Sequence, residues 1–92
     1  MNKKFSKKLD KLAFRIINML KEKNDAYGNS ALEPANIFGD LSAAQALCAR
    51  IDDKLMRIKN RGITDQTEDT VDDLIGYLFL LRMALEEEER IM

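Results

Sequence analysis

Arg50-Ile-Asp-Asp-Lys-Leu-Met-Arg57 is followed, across a short gap, by Glu68-Asp-Thr-Val-Asp-Asp-Leu-Ile-Gly-Tyr77. Each stretch belongs to a longer run in which apolar residues recur at helical spacing beside dense charge. In the first run the stripe is Leu47, Cys48, Ile51, Leu55 and Ile58. In the second it is Val71, Leu74, Ile75, Leu78, Leu81 and Leu85. Two such runs joined by a short loop pack as antiparallel neighbours, so the expected fold class is all-α.

Outward from this pair, the chain reads as a single small three-helix domain over 1–92. The first helix is expected over about 5–23, on a stripe of Phe5, Leu9, Leu12, Ile16 and Leu20. Lys7, Lys8, Lys11, Arg15 and Glu22 form its opposite, solvated face. A long ordered loop over 24–41 follows, with Asn24-Asp25, Gly28-Asn29-Ser30, Pro34 and Gly39-Asp40 as turn formers. So long a connection in so small a domain is unusual and often functional. The second helix spans 42–60, with Ser42 as N-cap and Asn60-Arg61-Gly62 as its stop. The third spans 67–90, with Glu68 and Asp69 in a first turn that favours anions.

From Leu74 to Leu85 the one charge is Arg82, and Phe79, Leu80 and Met83 lie off the main stripe. A helix apolar nearly all round is buried all round. The chain is therefore expected to oligomerise through its third helix, as a homodimer or a multiple of dimers.

Composition removes several function classes. The 92 residues carry 15 Lys and Arg against 16 Asp and Glu, a net charge of −1. No global field draws the chain to a nucleic-acid polymer. It has no histidine and one cysteine, Cys48. That takes away the commonest general base and leaves too few ligands for structural zinc. Cys48, on the apolar stripe, is expected to be a buried small hydrophobe in a reducing, cytosolic setting. No apolar run is long enough to span a bilayer, and the basic start Met1-Asn-Lys-Lys-Phe-Ser-Lys-Lys8 leads into charged sequence unlike a signal peptide.

Arg50, Asp53, Lys54 and Arg57 share one helix face; Asp69, Asp72, Asp73 and Gly76 share another. Three readings fit. The first is an interhelical salt-bridge network. The second is an anion site, with Arg50, Lys54 and Arg57 on phosphates. There Tyr27 or Phe38 would stack on a base, and Asn29, Ser30 and Asp73 would meet polar edges. The third is a magnesium site on Asp53, Asp69 and Asp72, with phosphate as co-ligand.

Asp25-Ala-Tyr-Gly-Asn-Ser30, then the Arg-x-x-Asp-Lys-x-x-Arg pattern over 50–57, then Asp69-Thr-x-x-Asp-Leu-x-x-Tyr77 resemble the phage and bacterial family called nucleotide modification associated domain. The likeness covers about residues 24 to 85. It implies an all-α protein with a nucleotide-related role in a phage setting. That family also looks like a distant relative of MazG-type NTP pyrophosphatases, which hold magnesium with a Glu-x-x-Glu and a Glu-x-x-Asp helix. Here Asp69-x-x-Asp72 matches the second in part. The first is missing, because Asp52 and Asp53 have no carboxylate three residues away. The resemblance therefore implies a non-catalytic nucleotide binder without a cofactor, in its concrete form a sponge for a nucleotide signal of bacterial immunity. The alternatives are a magnesium-dependent pyrophosphatase using Asp53, Glu68, Asp69 and Asp72, and a helical protein-interaction module.

Overall fold

A computed structural model describes residues 2–36, 39–64 and 68–91, with no side-chain description at 68 and 89–91. Three helices follow in order: α1 (Lys3–Ala26), α2 (Ala43–Arg61) and α3 (Glu68–Ile91). The protein is all-α, as the periodicity requires. The expected start of the third helix at Thr67 lies outside the described residues.

Local chemistry sets the helix ends. Asn2 caps α1, its side-chain oxygen accepting from the Lys4 and Phe5 amides at 2.9 and 3.1 Å. Ser42 and Gln45 form a reciprocal capping box at the start of α2. α1 runs beyond the expected stop at Lys23 and ends in a Schellman motif. The Asn29 amide bonds to the Asn24 carbonyl and the Gly28 amide to the Asp25 carbonyl. Gly28 has φ +62°, the left-handed value that this motif needs. Further along, the Asn36 side chain bonds both backbone groups of Leu41 at 3.0 Å and ties the loop to the entry of α2.

α3 lies between the other two helices, packing along α2 and crossed by α1. The α2–α3 pair is antiparallel: Lys54 meets Asp73, and Arg50, one turn earlier, shares a cavity wall with Tyr77, one turn later. Where α1 crosses, a Cβ at Gly76 would stand 2.8 Å from the tip of the Leu20 side chain, so a larger residue there would make Leu20 shift.

The inward faces differ from expectation by about one residue in register. Of the expected α3 stripe, Val71, Leu78 and Leu85 are exposed and Leu74, Ile75 and Leu81 half-buried, whereas Thr70, Gly76 and Ala84 are buried and Asp73 and Tyr77 half-buried. Small residues allow close helix approach, so the helices meet most tightly on the Thr70–Gly76–Ala84 side of α3, and only one edge of the large apolar stripe is covered. On α2 the covered row is Ala43, Leu47, Ile51, Lys54 and Ile58. Cys48 and Leu55 stand one step round the helix and are exposed, which corrects the expected burial of Cys48. Arg15 is exposed as expected and also bonds Asp72 at 2.6 Å. Leu80, expected to face a neighbouring subunit, is half-buried and lines a cavity within the chain; Phe79 and Met83 are exposed.

Candidate functional site

The cavity, of about 320 Å³, opens where the end of α1 and the turn after it pass over the α2–α3 pair. Met19, Leu20 and Leu80 supply apolar walls. Lys23, Asn24, Tyr27 and Ser30 come from α1 and its C-terminal turn. Arg50 comes from α2, and Asp73 and Tyr77 from α3. The Schellman turn reverses the chain, which carries Ser30 back to the wall on which Tyr27 stands. The volume is at the low end of the range for small-molecule sites.

Asp73 is the electrostatic centre. Its two oxygens accept from Lys23 at 2.8 Å and from Lys54 at 3.0 Å. Its side chain and that of Lys54 are 19% and 15% exposed, so this pair is largely withdrawn from water, whereas Lys23 is half in solvent. Burial pushes the Asp73 carboxyl upward, but the bonds from Lys23 and then Lys54 outweigh it and hold the group below the usual carboxylate range. The bond from Asp73 outweighs desolvation at Lys23 and raises that ammonium above its ordinary value.

Arg50 is exposed and, among the described residues, has no carboxylate partner. Two lysines share one carboxylate while this guanidinium is uncompensated, so the local charge is positive. A fork of N–H donors beside two tyrosines suits a planar, anionic ligand. Stacking on such a ring contributes about 1–3 kcal/mol per base.

Of the residues singled out from sequence, Tyr27, Ser30, Arg50 and Asp73 line the cavity, and Lys54 supports it through Asp73. Asn29 does not line it: the residue has φ +64°, and its backbone bonds Asn24 and Glu33. Arg57 does not line it either, lying two helical turns from Arg50. Phe38 lies outside the described residues. Sequence reasoning missed Lys23, Asn24 and Tyr77. Lys23 and Asn24 looked like a helix end and a turn, although Lys23 falls on the Phe5–Ile16 stripe by helical spacing. A charged residue at a stripe position was the available signal, and Lys54 showed the same one.

The carboxylates of the metal reading do not converge. Asp72 is held by Arg15, and Asp53 and Asp69 are exposed. Among the described residues no three His, Cys, Asp or Glu side chains gather around a point that could hold a cation. No helix among them is long and apolar enough to cross a membrane.

The Asp73 pairs make stability depend on pH. A depressed folded-state pKa stabilises fully above the unfolded value of about 3.9 and fades as pH falls through the folded one. The raised Lys23 pKa acts oppositely, stabilising fully below about 10.4 and fading as pH rises through the folded value. Asp73→Asn is expected to cost about 1–3 kcal/mol at neutral pH by leaving Lys54 poorly compensated. It should also flatten the acid limb of a urea-midpoint-against-pH profile. An unchanged acid limb would show that Asp73 is not the titrating group.

No family model, curated protein or solved structure matches this chain.

Proposed function

We propose that this chain is a small nucleotide-binding protein that sequesters its ligand rather than converting it. The observation that carries the reading is Arg50, a guanidinium with no carboxylate partner among the described residues, on the wall of a cavity that also presents Tyr27 and Tyr77. Arg50 takes a phosphate, a tyrosine stacks on the base, and Asn24 and Ser30 offer hydrogen bonds to its edge or to a ribose. The volume suits one nucleotide unit per cavity. The resemblance carried by the motifs over residues 25–30, 50–57 and 69–77 implies the same ligand class and a phage setting, where the ligand is a nucleotide signal of immunity. The active form is a homo-oligomer in the cytoplasm of the host cell.

The non-catalytic form is preferred because, among the described residues, Asp53, Asp69 and Asp72 do not gather around one point and Asp72 is engaged by Arg15. The interaction-module reading needs arginines neutralised by carboxylates, and Arg50 and Arg57 have no such partner among the described residues.

Isothermal titration calorimetry with cyclic dinucleotides, ADP-ribose derivatives and NTPs tests the proposal. Micromolar or tighter binding of at least one, with the ligand recovered intact, is the expected result. No binding across the panel would overturn it. Pyrophosphate released from NTPs with magnesium would replace it by the hydrolase.

A further inference from the structure

Two apolar faces of this chain find no cover among the described residues. On α1, Phe5, Leu9 and Leu12 continue the line of Ile16. Ile16 is buried, yet Phe5, Leu9 and Leu12 are 62%, 52% and 39% exposed. One stripe is thus covered over its second half and bare over its first, in keeping with contacts to α3 at Arg15, Leu20 and Lys23. On α3, Val71, Leu78 and Leu85 recur at seven-residue spacing with Phe79 beside them, and all four are exposed. This row points away from the face that packs on α2.

The surface area says that something large is missing. The chain exposes 7603 Å², whereas a compact monomer of 10.6 kDa exposes about 5,500 Å². Its radius of gyration is 15.1 Å, against about 12 Å for a compact chain of this length. The surplus of roughly 2,000 Å² exceeds the ~800 Å² that each partner contributes to an ordinary interface and falls in the range of obligate homodimers.

Charge identifies the partner. The bare half of α1 carries Lys3, Lys4, Lys7, Lys8 and Lys11 beside its apolar stripe, against Asp10. The far end of α3 carries Glu86, Glu87 and Glu88, of which Glu86 pairs with Arg82 at 3.4 Å. Each chain therefore holds a basic apolar arm and an acidic apolar row; among the described residues, the Arg82–Glu86 bond is the one ion pair that either makes within the chain.

We propose that the occupant is a second copy of this chain. The α1 arm of each subunit lies along the outer Val71–Leu78–Leu85 row of the other, its lysines against the partner's acidic helix end. A two-fold axis makes the exchange reciprocal, so one operation covers all four bare faces and closes the assembly. The inference specifies the surface for the assembly named under the proposed function and does not depend on any ligand.

Light scattering coupled to size exclusion, without nucleotide, reads the assembly directly. The wild-type chain should run at twice 10.6 kDa. Two charge-swapped variants are decisive: Lys4→Glu/Lys7→Glu/Lys8→Glu/Lys11→Glu, and Glu86→Lys/Glu87→Lys/Glu88→Lys. Each alone places like charges together and should associate roughly a hundredfold more weakly. Mixed, the acidic arm meets a basic helix end and the native pairing persists on the other side, so a heterodimer of twice the chain mass should return. Rescue on mixing also demonstrates that both variants fold. A wild-type mass of 10.6 kDa would overturn the proposal. So would swapped variants that each remain dimeric, or swapped monomers that stay monomeric when mixed.

Discussion

Leu47→Ala is expected to destabilise the protein by about 2–5 kcal/mol. Among the described residues, Leu47 and Ile16 are the large side chains with essentially no exposure, at 1% each. A chain of this length has a total stability of roughly 5–14 kcal/mol, so one such truncation removes a large share. Leu47 occupies the covered row of α2 facing α3, and truncating a side chain so buried leaves a cavity. Leu55→Ala is the matched control, because Leu55 is 51% exposed and should cost under about 1 kcal/mol. Urea unfolding followed by circular dichroism separates the two. Equal losses would mean that α2 is rotated from the register described above.

Arg50→Ala is expected to weaken nucleotide binding by about 10- to 150-fold, the loss of a charge-assisted contact worth about 1.5–3 kcal/mol. Stability should change by less than about 0.5 kcal/mol, because the residue is exposed and takes part in no ion pair among the described residues. Arg57→Ala is the contrast. Arg57 has the same chemistry on the same helix but lies outside the cavity wall, so its removal should alter affinity by less than about threefold, through screened long-range charge. The readout is calorimetry on the tightest ligand among the cyclic dinucleotides and ADP-ribose derivatives. Equal losses from both variants would move the site from the cavity to the open face of α2.

Much of the site was legible as composition and only part of it as geometry. The Tyr27 turn and Arg50 were recognisable as candidates, because turn chemistry after a helix and arginine at helical spacing are local signals. Lys54 and Asp73 were recognisable as charged, but their role depends on burial. Lys54 falls in line with Leu47, Ile51 and Ile58, and Asp73 in line with Thr70, Tyr77 and Ala84. A charge on a covered row requires a partner from the facing helix, and here each supplies the other. Arg57 was selected for sharing a helix face with Arg50. That face is longer than the cavity, so spacing alone could not separate the two.

Helix existence and helix ends follow from the residues themselves. Asn2, Ser42 with Gln45, Gly28 and Gly62 each satisfy backbone groups within a few positions, so no distant part of the chain is consulted. Which side of α3 turns inward is a different kind of question. Counting large apolar residues favours the stripe of Val71, Leu74, Ile75, Leu78, Leu81 and Leu85, yet the helices close on Gly76 and Ala84, where backbones can approach. That choice rests on the shapes of three helices at once. It alone brings Lys23, Arg50 and Tyr77 to one hollow and leaves the Val71, Leu78 and Leu85 edge of the stripe bare.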